Sequence, residues 1–270
     1  MMLLGDQRDV AAAANGFPDV AAARDKVRGM SWTRGEGLRA EHRERLIAAG
    51  LAPEVLVGLE LSEITGPLPE WWHEGGNAIY VRDGFPLAER LIELLGFYPF
   101  SDALIVVATD ITSMQALLVG GDSPTIFIGP DTSMVWGEVY CGGGSAVILS
   151  GGLVATSRAQ IDARNGGSIV AVGDQLWAAN VYVATDDMHR LEDGETGERI
   201  NPYGAHIRFG EHVWLGRDAI VTGNVEVGDG AVVGMRAMVR NQKIEPRTAV
   251  AGVPARLIRE NVVWSGDDTP

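Results

Sequence analysis

The sequence predicts a mainly β protein that winds into a left-handed parallel β-helix, with a mainly helical region before it and a short tail after it. Two spacings predict this class. Three strings, each a turn followed by alternating apolar residues, recur at slightly more than 20 residues, the scale of one solenoid coil: 121–129, 143–148 and 167–173. Farther along, an apolar residue falls at every sixth position: Phe209, Leu215, Val221, Val227, Val233 and Val239.

The six-residue period has a direct structural meaning. Each hexad forms one short strand and one turn, three hexads close a triangular coil, and stacked coils form three parallel sheets. The first residue of a hexad points into the narrow interior, and glycine suits the next position because backbones crowd at the corner. Glycine occurs there in four of the six hexads: Gly210, Gly216, Gly228 and Gly234. Upstream, Val172, Ala178 and Ala184 keep the same spacing and are expected to face the interior too.

No other regular element explains this pattern. An amphipathic helix needs a period of about 3.6 residues and a lone strand a period of about 2. Coils built on this repeat also depart from the right-handed crossover that usually joins parallel strands, so the general handedness rule does not apply to them. The period therefore favours a β-helix over a helical bundle or an ordinary sheet.

The first part of the chain has a different texture. Residues 1–100 are interpreted as a mainly helical N-terminal region. Helices are predicted at 19–30, at 40–49 with Gly50 as the stop, and at 86–95. No chemistry can be assigned to this region from its residues.

The remainder divides in two. Residues 101–255 are expected to form the β-helix, and residues 256–270 a C-terminal tail. Within the β-helix, residues 190–206 are polar and fit no hexad, which predicts a loop that projects from the coils.

Composition limits the partners. The 270 residues carry a formal net charge of −14, so nucleic acid is a poor partner for the surface as a whole. From residue 205 to 262, however, eight Lys and Arg face six Asp and Glu, which leaves room for a local site for a phosphorylated cofactor. The single cysteine, Cys141, permits no intrachain disulfide. With no signal peptide recognisable and no apolar run of about 18 residues, a cytoplasmic protein without a membrane span is expected.

Four strings, in this order and spacing, resemble the hexapeptide-repeat acyltransferases, and most closely the branch that O-acetylates bacterial polysaccharides and sugars. They are Thr185 to His189, Thr196 to Asn201, Ile207 to Gly216 and Ala251 to Arg256, and Asn261 to Trp264 resembles the tail of that branch. The resemblance covers roughly residues 120–264. It implies an acyl-CoA co-substrate, acetyl-CoA being the expected one, and a homotrimer whose sites are each shared between two chains.

His189 is the candidate catalytic base. It follows a hexad strand where the chain leaves the coil, and a histidine there can take a proton from a substrate hydroxyl near neutral pH. The freed oxygen would attack the thioester carbonyl, so the enzyme needs no nucleophile of its own; Cys141 has no companion histidine pattern. The alternative is a loop histidine hydrogen-bonded to backbone.

Three further residues are candidates for the site, each with an ordinary alternative. Asp187 could orient the imidazole or bind acceptor hydroxyls, or it could cap its own turn. The resemblance places Trp214 beside the base at the acyl-transfer centre, where an outward indole marks a contact surface; packing between subunits is the alternative. It also implies that Asn201 positions the loop or the acceptor, although a plain turn asparagine fits as well.

Coenzyme A is expected along the outside of the helix, in a groove between subunits. The resemblance implies contacts to the pantetheine arm at the corners that hold Gly216 and Gly234. Arg240, Arg256 and Arg259 are candidates for the phosphates, with a solvated charged face as the alternative. No metal is expected.

Two departures from the pattern of the acyltransferases concern the same groove. A Gly-Ala-Gly-Ser turn is usual where residues 234–237 read Gly-Met-Arg-Ala, and Thr-Lys is usual where residues 240–241 read Arg-Asn. The resemblance therefore leaves the acyl chain length open, and the acceptor is open as well.

Two other functions are compatible with a β-helix. A zinc-dependent γ-class carbonic anhydrase needs three histidine ligands, two of them five residues apart. His212 matches one, but Arg217 stands five residues on and His206 is badly spaced. A non-catalytic assembly scaffold is the second alternative, and it predicts no thioester turnover.

Overall fold

A computed structural model describes residues 32–84, 91, 94, 95, 99–187, 189–201 and 203–267. The helix predicted at 19–30 lies outside these residues, as does most of the one predicted at 86–95. The helix predicted at 40–49 is confirmed as α1. The elements before the coils are β1 Thr33–Arg34, α1 Ala40–Ala48, a 3-10 turn Pro53–Leu56, β2 Leu61–Gly66 and α2 Glu70–Glu74.

The rest of the described chain is mainly β and forms a left-handed parallel β-helix of about seven coils, as the sequence predicted. Its strands stack into three parallel sheets, visited in the order sheet 1, sheet 2, sheet 3. Sheet 1 holds β3 Ala78–Arg82, β4 Leu104–Val107, β6 Thr125–Ile128, β8 Ala146–Leu149, β10 Ser168–Ala171, β13 His206–Phe209 and the last residues of β15 Ile220–Val227 and β17 Met238–Ile244.

The other two sheets share several long strands that bend at a corner. Sheet 2 holds the first residues of β7 Ser133–Gly142 and β9 Leu153–Ala163, then β11 Gln175–Trp177, β14 Val213–Leu215, β16 Val232–Val233 and β18 Ala249–Ala251. Sheet 3 holds β5 Met114–Gly120, the later residues of β7 and β9, β12 Val181–Ala184, and the first residues of β15 and β17. The final strand, β19 Arg256–Arg259, runs antiparallel to β18.

Three corners join the sheets and are numbered in chain order. The first corner leads from sheet 1 to sheet 2, the second from sheet 2 to sheet 3, and the third from sheet 3 back to sheet 1. In a triangular coil each corner lies opposite one sheet, so the third corner faces away from sheet 2. This relationship decides which side chains can meet within one chain.

Strand register measures the coils. Successive sheet 1 strands β4, β6, β8 and β10 are offset by 21, 21 and 22 residues, which confirms the spacing of slightly more than 20 in the early strings. After residue 206 the offset falls to 18, or three hexads, as between Ile207 and Val225, and at the last coil it is 17, as between Val232 and Ala249. Between them, Ser168 pairs with His206, 38 residues along the chain, because a loop leaves the coil at the third corner.

The interior residues confirm the hexads of the second half and correct those upstream. All six predicted positions from Phe209 to Val239 are buried. Upstream, the register aligns Ala171, Trp177 and Val183 with Phe209, Leu215 and Val221, so the interior positions there lie one residue before the predicted ones. The wrong phase has a physical cause, because an interior slot assumed to be aliphatic holds a tryptophan.

Trp177 fits the interior because its polar atom finds a partner. Its ring packs 5.5 Å from that of Phe209, and its indole N–H donates to Gln175 Oε1 at 3.4 Å. Both residues are buried. A buried indole without such an acceptor would lose the hydrogen bond that it makes in water.

Glycine after the interior residue is required by close approach, as expected. A Cβ on Gly216 would lie 2.6 Å from the Met235 nitrogen, and one on Gly228 would lie 2.5 Å from the Pro246 nitrogen. The left-handed backbone falls two residues later instead, with φ of 57° at His212 and 59° at Asp218. The hexad pattern did not reveal this second special position, since several residue types occupy it.

The N-terminal region covers the outer face of sheet 1. Leu46 of α1 packs in a buried cluster with outward side chains of the sheet that include Tyr80, Phe127 and Ile148. Arg45 ties the helix down by donating to Thr125 Oγ1 at 2.9 Å. The first strand of this sheet, β3, precedes residue 101, where the sequence suggested that the β-helix begins.

Sheet 2 has a different outer face. The outward residues Val135, Val154 and Trp214 are exposed, and the described residues place no helix over them. Among the helices in the described part of the chain, none has the length and apolar character of a membrane-spanning segment.

Candidate functional site

The loop predicted at 190–206 is an ordered excursion from the third corner. It leaves β12 after Ala184 and rejoins the coil at β13. Its tip is a short hairpin in which Asp193 Oδ1 accepts hydrogen bonds from the amides of Glu195 and Thr196 at 2.9 and 2.8 Å. Lower down, the Ile200 amide donates to the Leu191 carbonyl at 2.9 Å. The loop therefore has its own hydrogen-bonded scaffold.

Asn201 joins the two strands of chain at the base of this loop, residues 189–191 and 201, which we call the loop neck. Its Nδ2 donates to the His189 carbonyl at 2.7 Å, and its Oδ1 accepts from the Leu191 amide at 2.9 Å. Asn201 is buried whereas His189 and Leu191 are exposed, so both bonds are partly shielded from water. These contacts fix the backbone on either side of Arg190 and thereby set the position of His189.

His189 presents its imidazole to solvent. Its amide donates to the Asp187 carbonyl at 2.8 Å, and its carbonyl is held by Asn201. The residue is exposed, and no described residue makes a hydrogen bond to its ring. The backbone is fixed while both ring nitrogens stay available, which is the arrangement that a general base needs.

Asp187 pairs with Arg240 beside this neck. Arg240 Nη2 donates to Asp187 Oδ2 at 2.9 Å. The two residues meet because Ala184, Thr222 and Arg240 occupy the same rung position on three neighbouring strands of sheet 3. The ion pair is partly exposed and is worth up to about 1 kcal/mol. The Asp187 carboxylate thus faces a guanidinium, and no hydrogen bond joins it to the His189 ring.

Trp214 lies on another side of the coil. It stands on the outer face of sheet 2, paired in register with Leu176 and Val232, and is 38% exposed. Sheet 2 is the side opposite the third corner. Within one chain, the indole and the His189 imidazole therefore point to different sides of the triangular coil.

The candidates for coenzyme A divide in the same way. Gly216 and Gly234 lie at the second corner, at the ends of sheet 2 strands, and their amides donate to the next coil at 2.7 and 2.8 Å. Arg256 and Arg259 lie on β19 at the end of sheet 2 and are exposed. Arg240 alone of this set stands at the third corner, in the ion pair with Asp187.

No known protein-family profile matches the chain. It is 38% identical over 93 residues to the galactoside O-acetyltransferase of Escherichia coli strain K12, a match that covers 34% of this chain and 44% of that protein. It is 33% identical over 100 residues to the lipopolysaccharide biosynthesis O-acetyl transferase WbbJ of the same strain, covering 34% and 50%. The chloramphenicol acetyltransferase of Agrobacterium fabrum is 47% identical over 52 residues, covering 19% and 24%. The matches therefore span at most half the length of these relatives.

A solved structure shares the fold. The polySia-specific acetyltransferase NeuO superposes with a TM-score of 0.53 at 20% identity, covering 66% of this chain and 79% of NeuO. In sequence and in fold, the chain resembles the hexapeptide-repeat acetyltransferases. The resemblance that the four strings predicted is confirmed.

The hexapeptide-repeat coils gather the expected site residues into two groups. The third corner brings together His189, Asp187, Asn201 and Arg240. The sheet 2 side carries the other group: Trp214, Gly216, Gly234, Arg256 and Arg259. A site that uses both groups cannot be closed by the coils of one chain.

A polar cluster on sheet 3, beside the loop neck, escaped the sequence analysis. Arg164 makes two bonds to the Asp162 carboxylate, at 2.6 and 2.9 Å, and its guanidinium lies 3.9 Å from the ring centre of Tyr140. Burial raises the pKa of Asp162 despite this partner, and burial also raises the pKa of Tyr182. The residues come from coils of about 22 residues, in which hexad spacing gives no warning of their contact.

Asp186 adjoins this cluster. Its Oδ2 accepts a hydrogen bond from Thr185 Oγ1 at 3.1 Å, whereas its buried Oδ1 has no partner among the described residues. The Thr185 hydroxyl also accepts from the Arg164 amide at 2.9 Å. The start of the projecting loop is thus anchored to the preceding coil.

The two histidines considered for zinc are occupied by other partners. His206 Nδ1 contacts Ser168 Oγ at 2.9 Å on the outer face of sheet 1. His212 lies at the first corner, where Asp174 and the Trp264 carbonyl bind its two ring nitrogens. In the described residues, no three His, Cys, Asp or Glu side chains come together as a metal site.

Proposed function

We propose that the chain is an acyl-CoA-dependent O-acyltransferase, with acetyl-CoA as donor, that acylates a hydroxyl of a sugar or polysaccharide. The observation that carries the proposal is the exposed His189 imidazole on a backbone fixed by Asn201 at 2.7 Å. The similarity to a galactoside O-acetyltransferase and to WbbJ supports a saccharide acceptor.

The proposed reaction is a direct transfer in one ternary complex. His189 takes the proton of the acceptor hydroxyl as its oxygen forms a bond to the thioester carbonyl carbon. The tetrahedral intermediate then expels the thiolate of coenzyme A, which receives the proton from His189. The products are the O-acyl acceptor and free coenzyme A, and the histidine returns to its initial state.

A covalent acyl-enzyme is not part of this route. The only cysteine, Cys141, is fully buried, and burial raises the pKa of its thiol to about 12. The thiol form is therefore dominant near neutral pH, and the thiolate is the nucleophilic form.

The intermediate carries negative charge on the former carbonyl oxygen and needs a hydrogen-bond donor. The indole N–H of Trp214 is the candidate on this chain. Because Trp214 and His189 lie on opposite sides of one coil, we place Trp214 of one chain against the third corner of another. A closed ring of three chains, a homotrimer, satisfies this head-to-tail contact at every site.

Coenzyme A fits the sheet 2 side in this arrangement. Gly216 and Gly234 lie at the second corner, where neighbouring coils approach closely, and we place the pantetheine arm along the outside of this corner. Arg256 and Arg259 are exposed on β19, which pairs with the last strand of sheet 2, and they can meet the phosphates. Exposed apolar side chains on the projecting loop, Leu191 and Ile200, provide a surface that a second chain can cover.

The deciding experiment measures thiol released from acetyl-CoA with a panel of sugars, amino sugars and oligosaccharides, and with longer acyl-CoAs. His189→Ala should lower kcat at least about a hundredfold while circular dichroism and assembly mass stay unchanged. His206→Ala is the matched control, since His206 is also exposed but lies on sheet 1.

Two results contradict the proposal. Full activity of His189→Ala would show that His189 is not the general base. Wild-type protein that releases no thiol with any acceptor would favour the assembly scaffold. The same panel separates acceptor classes, because only the true class raises thiol release above the rate of acyl-CoA hydrolysis.

A further inference from the structure

The tail residue Trp264 contacts both His212 and Trp214. Its ring stacks on the His212 imidazole with 3.9 Å between ring centres and 8° between planes. The Trp214 ring centre is 5.9 Å from that of Trp264, with 46° between the two planes. The Trp264 indole N–H donates to the His212 carbonyl at 3.1 Å, which fixes the ring in its plane.

The tail is held at two points. The Val262 amide donates to the Arg247 carbonyl at 2.8 Å. Two residues later, the Trp264 carbonyl contacts His212 Nε2 at 3.1 Å. These contacts close the tail over a surface cleft of about 370 Å³ at the first corner.

His212 has to be doubly protonated to make its contacts. Its Nδ1 lies 2.6 Å from Asp174 Oδ2, and its Nε2 faces the Trp264 carbonyl. A carboxylate and a carbonyl can only accept hydrogen bonds, so both ring nitrogens must donate, which only the imidazolium can do. The hydrogen bond to Asp174 is the main cause that raises the pKa of His212 above its usual value.

The other charged groups that line the cleft favour the same state on balance. Glu211 and Asp229 contribute carboxylates from two turns at the first corner, and Arg247 contributes the opposing guanidinium. With Asp174 they make three acidic groups against one basic group around the imidazole. The surroundings therefore stabilise a positive charge on His212.

We propose that Trp264 is a positioning residue for Trp214, and that the His212–Asp174 pair is the latch that holds Trp264 in place. The inference rests on the proposed function, in which Trp214 serves the acyl-transfer centre. Trp214 stands on an exposed sheet face, and a ring packed on its flank reduces the orientations open to it. Fixing that orientation places the indole N–H where the intermediate forms.

The latch depends on pH with a definite sign. The imidazolium form is complete below the ordinary histidine pKa of about 6.5. Because the folded protein raises the pKa of His212, the latch persists above that value and opens as the pH passes the raised pKa. Asp174→Asn removes the main stabilising partner and should move the opening to lower pH.

Fluorine NMR can follow Trp214 without any assay of activity. All seven tryptophans are labelled with 5-fluorotryptophan, and the resonance missing from Trp214→Phe is that of Trp214. Trp264→Ala should shift or broaden this resonance, and Trp264→Phe should partly restore it because a phenyl ring can still stack. Raising the pH should move it in the wild type, whereas His212→Gln should hold it in the released position at every pH.

Kinetics provide the second readout. Trp264→Ala should lower kcat about ten- to a hundredfold with little change in KM for the acceptor. Trp136→Ala is the matched control, because Trp136 is also partly exposed but bonds to Glu138 on an earlier coil. It should leave the Trp214 resonance and kcat unchanged.

The two proposals fail in distinguishable ways. The inference is overturned if the Trp214 resonance keeps its shift and width both in Trp264→Ala and as the pH is raised. It is also overturned if the enzyme is active and Trp264→Ala leaves kcat unchanged. Wild-type protein that releases no thiol with any acceptor overturns the proposed function alone, since the NMR result still decides whether Trp264 holds Trp214.

Discussion

Arg240 donates to the Asp187 carboxylate at 2.9 Å although the two residues are 53 positions apart in the chain. The stacking of β12, β15 and β17 on sheet 3 brings them together. A guanidinium expected to meet a cofactor phosphate therefore stands beside the candidate base and is already paired. A phosphate that bound there would compete with the Asp187 carboxylate for this guanidinium.

The first prediction separates these two roles of Arg240. Arg240→Ala frees the Asp187 carboxylate beside His189 and should lower kcat about tenfold, with KM for acyl-CoA nearly unchanged. Arg240→Lys should recover part of the loss, because an ammonium can still pair with the carboxylate. Steady-state kinetics with varied acyl-CoA provide the measurement.

The control for this variant is Arg158→Ala. Arg158 is a partly exposed arginine on an earlier coil that pairs with Glu138 at 3.0 Å, so its loss should leave both constants unchanged. A large increase in KM for acyl-CoA with kcat intact in Arg240→Ala would instead assign Arg240 to the cofactor.

The second prediction concerns Asn201. Asn201→Ala removes the bonds to His189 and Leu191 and leaves their backbone groups without this partner, at a cost of about 1–3 kcal/mol for each group that stays buried. The variant should lower kcat about ten- to a hundredfold. Hydrogen exchange of residues 189–201 should accelerate, while exchange of the coil strands stays the same.

Asn201→Asp refines this test. The carboxylate can still accept from the Leu191 amide, but it cannot donate to the His189 carbonyl. If the hydrogen bond from Asn201 Nδ2 to the His189 carbonyl positions His189, Asn201→Asp should have about the same kcat as Asn201→Ala. Wild-type turnover in both variants would show that the neck does not depend on this residue.

The third prediction tests whether a site draws on two chains. His189→Ala and Trp214→Ala should each be impaired, but mixed assemblies formed by co-expression should regain activity. Random mixing of equal amounts gives about a quarter of the sites an intact His189 from one chain and an intact Trp214 from another.

The matched control mixes His189→Ala with the double variant His189→Ala/Trp214→Ala, which supplies no intact site. Activity in that mixture would point to contamination by wild-type protein. If the main mixture is no more active than its separate components, both residues act within one chain, and the proposed arrangement of subunits is wrong.

The fourth prediction concerns stability. Trp177 fills the coil interior against Phe209, so Trp177→Ala should leave a cavity and lower the free energy of unfolding by about 3–5 kcal/mol. Trp136→Ala should change it by less than about 0.5 kcal/mol, because Trp136 is exposed. Urea denaturation followed by circular dichroism compares them. Equal effects would mean that the interior slot is not filled as described.

The later coils could be predicted because every hexad obeys the same sterics. From Phe209 to Val239 each sixth residue is a phenylalanine, leucine or valine, so period and phase are both visible there. Upstream, Trp177 occupies an interior slot while Val172 and Ala178 keep an apolar spacing one residue away. Two apolar phases compete there, and only strand register decides between them.

The site was predictable in its local part. The loop, with its candidates His189 and Asn201, follows from a break in the repeat and from the resemblance. The pairing of Asp187 with Arg240, and of Asp174 and Trp264 with His212, depends on the stacking of coils and on the path of the tail. Such contacts join residues tens of positions apart, and no spacing along the chain encodes them.

Ser168 pairs with His206 on adjacent rungs of sheet 1, so the segment between Ala184 and His206 is an addition to an otherwise complete coil. Adjacent rungs lie about 4.8 Å apart, so the coil closes at the same place whatever length of chain departs and returns there. Excursions of other lengths can be grafted between these rungs without altering the repeat beneath. Exchanging this segment between related proteins therefore tests whether it selects the acceptor hydroxyl, because the coils beneath it stay the same.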